Sequence, residues 1–202
     1  TNFKIGGVLW YQGESNTANA ESYQQIFTEM INSWRADWNN DFPFYYVQIA
    51  PFKYGGEFEG GIVRDQQRRT LALKNTGMAM TSDICTVEDI HPQNKQDVGL
   101  RLANIALKQH YNNLQDKEVY GPLFEAAEII GNQIQIKFSH DKGLKSDRKK
   151  IELFEISNEK GEWFTAKAKL KNGMVIVSSK EVKSPKAVRY AWKSTDIGNL
   201  YN

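Results

Sequence analysis

The first 112 residues alternate between short apolar runs and segments of helical periodicity, and that alternation leaves few folds open. Tyr23, Ile26, Phe27, Met30, Ile31 and Trp34 follow the i, i+3, i+4, i+7, i+8, i+11 series of one helical face, so a helix is expected within residues 19–38. "KIGGVLWY" (4–11) before it and "FPFYYVQIA" (42–50) after it are compact apolar runs of the kind buried strands carry, the second ended by Pro51. A Gly-rich loop, "KYGGEFEGG", leads to a polar helix over 62–75. "GMAMTSD" (77–83) reads as a third strand, and Val98, Leu102, Ile105 and Ala106 mark one side of a helix from about Lys95 to Tyr111.

Strand, helix, strand, helix, strand, helix is the order of parallel strands joined by right-handed crossovers, with helices on both faces of the sheet. Such sheets bind ligands beyond the carboxyl ends of their strands. Two polar clusters fall there: Gln12 to Asn16 after the first strand, and Glu88 to Asn94 after the third. From about residue 113 the pattern changes to short alternating strands, "AEIIGNQIQIKF" around a Gly131-Asn132 turn, then "KIELFEI", "EWFTAKAKL", "GMVIVSS" and "KAVRYAW". The expected organisation is an α/β domain over 1–112 and a β-rich, sandwich-like accessory domain over 113–202.

Composition excludes several classes. A net charge of +2, from 26 basic and 24 acidic residues, gives no electrostatic basis for a nucleic-acid groove or an anionic membrane surface, and "KSDRKK" (145–150) is expected as a solvated loop. No apolar run approaches the roughly 20 residues that cross a bilayer. Cys85 is the single cysteine, so neither an internal disulfide nor a cysteine-based zinc site is expected. The chain opens at Thr1 without Met and ends at "NLYN", which reads as a piece of a longer polypeptide.

Of the three histidines, His110 ends a helix and His140 lies in the turn "FSHDKG", where solvated or capping roles are expected. His91 follows Glu88 and Asp89 and precedes Pro92, which restricts it to extended geometry. A carboxylate two or three residues away can hold an imidazole tautomer and stabilise the imidazolium, as a base that activates a hydroxyl requires. The alternative is an exposed acidic loop that runs into the helix at "PQNK". In the first cluster, the amides of Gln12 and Asn16 and the backbone freedom of Gly13 suit stabilisation of an oxyanion, and Glu14 suits a sugar hydroxyl. Capping of the next helix by Asn16 or Asn19 and a turn at Gly13 would account for part of this loop without any chemistry.

"GGVLWYQGESN" with "DIHPQNKQDVGLRLA" resembles the sialate O-acetylesterase branch of the SGNH hydrolases, and "YGPLF" and "AVRYAW...NLYN" resemble its β-rich tail. The resemblance implies a serine esterase with a flavodoxin-like, three-layer α/β/α core, here a partial parallel sheet, followed by the β-rich segment. It implies removal of acetyl groups from sugar hydroxyls without metal or cofactor, and a secreted or periplasmic bacterial protein. It makes His91 the general base, Asp89 or Glu88 its orienting acid, and Gln12, Gly13, Glu14 and Asn16 the oxyanion and substrate loop. Many members place Asp three residues before the His, where this chain has Glu88, with Asp89 two before, so a Ser-His dyad is also open.

The family nucleophile belongs to a Gly-x-Ser-Asn motif upstream of anything in this sequence and is expected outside the chain. Ser15 is the alternative nucleophile, since Gly13, Glu14 and Ser15 begin a Gly-x-Ser-x-Gly elbow, although Thr17 stands where the last Gly belongs. A different class of protein, a carbohydrate-binding module, would use Trp10, Tyr11 and Tyr54 to stack on sugar rings. A truncated parallel sheet would expose apolar edge surface, from which self-association is expected.

Overall fold

The computed structural model describes residues 3–202, which form two compact units, one running to Val119 and including Lys193–Thr195, the other comprising Tyr120–Trp192 and Asp196–Asn202. In the first unit, strands β1 (Val8–Trp10), β2 (Phe44–Val47) and β3 (Thr76–Ala79) pair in that order, all parallel, with Leu9 opposite Tyr45 and Tyr45 opposite Gly77. Helices α1 (Tyr23–Trp38) and α2 (Glu59–Thr70) are the crossovers, and α3 (Lys95–Gln109), after the last strand, packs on β2 and β3. Side chains alternate across a strand, and β2 shows it. Phe44 and Tyr46 meet Phe27 of α1 edge-on at 5.7 and 5.1 Å, and the Tyr46 hydroxyl donates to the Gln67 carbonyl of α2 at 2.7 Å. Tyr45 points the other way, toward the side packed by α3, where Tyr111 is its neighbour. The result is the three-layer α/β/α arrangement on a partial parallel sheet.

The strands are shorter than the apolar runs that announce them. Residues 4–11 contain a three-residue strand because pairing with β2 begins only at Val8, and 42–50 contain a four-residue strand. The expected helix from Asn19 begins at Tyr23, and the polar loop 12–18 runs into a 3-10 segment, Glu14–Ser22. On α1 the buried residues are Tyr23, Phe27, Ile31 and Arg35, whereas Ile26 is 56% exposed. The buried stripe therefore passes through a guanidinium. Arg35 donates to the carbonyls of Phe42, Lys74 and Asn75, which end the segments entering β2 and β3, and it pairs with Asp41 at 3.2 Å. A buried cation with several hydrogen bonds is tolerable where an unpaired one is not.

The polar helix α2 starts earlier than expected, at Glu59, so two glycines assigned to the loop are helical. It is also less solvated than its sequence reads: Arg64, Gln66, Gln67 and Thr70 are buried beside Val63. Gly60 has a packing reason, since a Cβ there would lie 2.5 Å from Tyr54 Cδ2.

The second unit is a sandwich of antiparallel sheets. One has the order β4 (Leu123–Ile130), β5 (Gln133–Ser139), β10 (Met174–Ser178), β9 (Lys167–Lys171). The other is β11 (Ala187–Tyr190), β7 (Phe154–Ser157), β8 (Trp163–Thr165), and β6 (Lys145–Ser146) pairs with β12 (Leu200–Tyr201). Ile134 and Ile136 of β5, Val175 and Val177 of β10, and Phe154 and Ile156 of β7 form the core, each at most 2% exposed. Gly131, at φ 60°, turns the β4–β5 hairpin as expected. "EWFTAKAKL" splits at Ala166 into strands of two different sheets. "KSDRKK", expected as a solvated loop, opens with β6. Asn199 holds it, donating to Ser146 Oγ at 2.9 Å and to the Lys150 carbonyl at 2.8 Å.

Candidate functional site

Because the three strands are parallel, the segments after Trp10, Val47 and Ala79 all leave the sheet at its carboxyl edge. The first is held tightly. Tyr23, at the start of α1, donates its hydroxyl to the Gln12 carbonyl at 3.2 Å, and the Gly13 carbonyl accepts from the Asn16 amide at 3.0 Å. Gln12 Nε2 donates to Asn16 Oδ1 at 2.9 Å. Gly13 has φ 145° and is buried, and a Cβ there would meet Ile49 Cγ2 at 3.0 Å and Tyr23 Oη at 3.2 Å. Only glycine fits both the backbone and the space. Glu14 and Ser15 open the 3-10 segment, Ser15 exposed, and Thr17 Oγ1 donates to the Glu14 carbonyl at 2.7 Å. Asn16 therefore pairs with Gln12 rather than capping a helix, and no side chain caps α1.

The loop after β3 places the second cluster. Asp89 Oδ1 accepts from the His91 backbone amide at 2.8 Å and Oδ2 accepts from Gln93 Nε2 at 3.4 Å, so this carboxylate fixes the main chain that carries the imidazole. Glu88 faces elsewhere, paired with Lys53 at 3.3 Å in an exposed ion pair. His91 is exposed and Pro92 behind it is buried. Asn94 caps α3, its Oδ1 accepting from the Asp97 amide at 3.1 Å while its Nδ2 donates to Asp97 Oδ2 at 2.7 Å. Among the described residues no hydrogen bond joins Ser15 to His91, Asp89 or Glu88. No three His, Cys, Asp or Glu side chains among them form a set that could hold a metal ion. His110 follows α3 with its ring against Tyr111, and His140 lies in a turn of the other unit.

Tyr11, next to the first cluster, faces the start of α3, into which the second cluster leads. The ammonium of Lys95, the first residue of α3, stands 4.9 Å from the centre of its ring. The Tyr11 hydroxyl is buried without a hydrogen bond of good geometry, with Thr81 beside it. Burial pushes this phenol up to about 12, and the carboxylate of Glu14 and the thiol of Cys85 push the same way.

The supports of this edge come from residues that the sequence did not single out. Gln67, fully buried, accepts the Ile49 amide on Oε1 at 2.9 Å and donates Nε2 to the Val47 carbonyl at 3.2 Å, so one side chain closes the open end of β2. Gln48 Nε2 donates to the Arg64 carbonyl at 3.0 Å, and the Thr81 hydroxyl donates to the Gln48 carbonyl at 2.9 Å. Arg64 holds the carbonyls of Lys193 at 2.7 Å and Ser194 at 3.0 Å, and Ser194 Oγ bridges Gly56 and Gly60. A run such as "RDQQRR" reads as a solvated face, and only the uninterrupted burial of β2 hinted that its exit needed polar partners. The link to Ser194 crosses 130 positions and leaves no local signal.

These features define an α/β protein with two polar loops at the carboxyl edge of a parallel sheet, and comparison with known proteins places it in a family. Residues 1–108 match the family described as carbohydrate esterase, sialic acid-specific acetylesterase. The crystal structure of a carbohydrate acetylesterase from Xanthomonas citri superposes with a TM-score of 0.92 at 36% identity, covering 99% of this chain and 48% of that one. Sialate O-acetylesterase of Rattus norvegicus is 27% identical over 217 residues, 95% of this chain and 40% of the relative. The Homo sapiens sialate O-acetylesterase is 28% identical over 177 residues, 77% of this chain and 34% of the relative. The chain belongs to the sialic acid-specific acetylesterase family of carbohydrate esterases. It spans less than half the length of each of these relatives.

Proposed function

We propose that this chain supplies the general base and the oxyanion loop of a carbohydrate O-acetylesterase, which hydrolyses acetyl esters on sugar hydroxyls. The observation that carries the proposal is that two loops leave the same edge of a parallel sheet, Gln12 to Asn16 after β1 and Asp89 to His91 after β3, with the Lys95 ammonium that follows the second loop 4.9 Å from the ring of Tyr11 before the first. The nucleophile is a serine outside this chain. Its hydroxyl attacks the acetyl carbonyl while His91 takes the proton, and His91 then returns that proton to the departing sugar oxygen. Water, deprotonated by the same imidazole, attacks the acyl-serine, and acetate and the free serine result.

The Gln12–Asn16 hydrogen bond uses one of the two N–H donors of Gln12 Nε2 and turns Asn16 so that its Nδ2 stays available, and the donors assigned to the oxyanion are Asn16 Nδ2, the second N–H of Gln12 and the Gly13 amide. Asp89 is the acid that positions His91, through its backbone; Glu88 is engaged by Lys53. Glu14 accepts a hydroxyl of the sugar. The compartment assigned is secreted or periplasmic, and no described helix is long and apolar enough to cross a membrane.

Hydrolysis of 4-nitrophenyl acetate tests this, measured for the chain alone and for the chain joined to the segment that precedes its counterpart in the Xanthomonas citri acetylesterase. The chain alone is expected to be inert and the joined protein active. Turnover by the chain alone that Ser15→Ala abolishes would move the nucleophile to Ser15. A joined protein that binds O-acetylated sugar but releases no acetate would make this a binding module.

A further inference from the structure

The edge of the sheet opposite the two loops holds a cavity that the chemistry above leaves unused. It measures about 460 Å³ and lies where the chain enters β2 and β3 and where α3 ends. Asn40, Asp41, Tyr45, Asn75 and His110 line it with polar groups and Pro43 with an apolar one. The buried Arg35 holds its walls together: besides collecting the Phe42, Lys74 and Asn75 carbonyls, it pairs with Asp41 at 3.2 Å. Asn75 Nδ2 in turn donates to the Asp41 carbonyl at 3.1 Å and to its carboxylate at 3.3 Å.

Tyr45 makes this more than a gap between loops. It is 4% exposed, its hydroxyl makes no hydrogen bond among the described residues, and that hydroxyl is open to the cavity. A phenol packed so deeply normally finds a partner within its own fold. Burial pushes this phenol up, and Tyr111 pushes the same way, so it stays a neutral donor. The Asn40 amide and the His110 imidazole likewise make no side-chain hydrogen bond among the described residues.

Charge decides what class of molecule fits. Helices α1 and α3 both end here, at Asn39 and His110, so their dipoles present negative ends, and the Asp41 carboxylate adds to them; an anion is disfavoured. The Asp41 charge is already met by Arg35, whose guanidinium repels a cation. A neutral molecule rich in hydroxyls is favoured instead. Asp41 accepts from its hydroxyls, Tyr45, Asn40 and His110 donate or accept, and Pro43 takes an apolar C–H face. We propose that this cavity binds a neutral sugar ring, as a second carbohydrate site at the amino edge of the sheet, apart from the loops assigned to the ester. None of its groups takes part in the ester chemistry, so the site stands independently of the esterase reading.

The test is binding to the chain itself, followed in nitrogen–proton correlation spectra. Methyl β-glucopyranoside, methyl β-galactopyranoside and methyl β-xylopyranoside are the neutral probes, and N-acetylneuraminate is the anionic one. At least one neutral probe is expected to shift the side-chain amides of Asn40 and Asn75 at millimolar concentration, and N-acetylneuraminate to leave them in place. Tyr45→Phe removes only a hydroxyl without a partner, so it should keep the urea midpoint of the parent while weakening the probe about fivefold. Asn40→Ala, at an exposed position, should weaken it similarly. The proposal is overturned if no neutral probe moves these amides, if N-acetylneuraminate moves them as strongly, or if both variants keep the parent's affinity. Shifts confined to Gln12 to Asn16 would put the sugar at the other edge and overturn it too. Binding here by a chain whose joined form releases no acetate would sink the esterase reading and leave this one standing.

Discussion

The carboxylate of Asp89 and the backbone amide of His91 are 2.8 Å apart, so the acid two residues before the histidine acts on the main chain, not on the imidazole. An Asx-type bond of this kind sets the loop before a buried Pro92 and fixes where the ring starts. Glu88, at the spacing more usual in the resembling family, is instead 3.3 Å from Lys53.

That difference separates the two acids by experiment. Asp89→Ala should lower kcat for acetyl ester hydrolysis by about tenfold or more, while Asp89→Asn, whose side-chain oxygen still accepts the His91 amide, should recover most of it. Glu88→Ala should cost much less than Asp89→Ala. Steady-state kinetics of the joined protein decide, and an equal or larger loss for Glu88→Ala would contradict the assignment.

Gly13→Ala should destabilise the first unit by about 1–3 kcal/mol, because φ 145° is strained for any other residue and the new Cβ would press on Ile49 and Tyr23 at 3.0 and 3.2 Å. Urea denaturation measures it. An unchanged midpoint would mean that the loop can relax.

Gln67→Ala should cost about 2–4 kcal/mol, since it leaves the Ile49 amide and the Val47 carbonyl buried without partners and adds a cavity at a fully buried position. Loss of less than about 0.5 kcal/mol in the same assay, within the range of surface substitutions, would show that the carboxyl end of β2 does not depend on this clamp.

Stability should also fall in alkali in a way traceable to Tyr23. Burial pushes its phenol up to about 12, above the roughly 10 of an unfolded chain. Its contribution is therefore complete below pH 10 and is lost between pH 10 and 12, at no more than about 1.4 kcal/mol per pH unit. Tyr23→Phe, measured by urea denaturation from pH 8 to 11.5, should show a shallower decline than the parent. Parallel curves would contradict the burial account.

What the sequence revealed of all this follows physical lines. Periodicity reports a helix because burial repeats every 3.6 residues, and Tyr23, Phe27 and Ile31 fulfil that on α1. The same rule placed Ile26 inside and left Arg35 out. A guanidinium collecting the Phe42, Lys74 and Asn75 carbonyls is a tertiary arrangement that no hydropathy pattern encodes. The candidate loops were legible because parallel strands fix which edge they reach, so Gln12 to Asn16 and Asp89 to His91 could be brought to one side without coordinates. Gln67, Arg64 and Thr81 were not, since buried polar clamps look like surface residues until their partners are known. The 3-10 form of Glu14–Ser22 was hidden for a related reason: it is held by Gly13, Tyr23 and Gln12, not by its own periodicity.

The most direct test of the account is the rate of acetate release by the joined protein with His91 intact and with His91→Ala, folding being checked by circular dichroism. A general base at this position predicts a loss of about 10²–10⁴ in kcat with the structure retained. A folded His91→Ala variant within threefold of the parent would contradict the assignment of the base, and with it the chemistry proposed for this sheet edge.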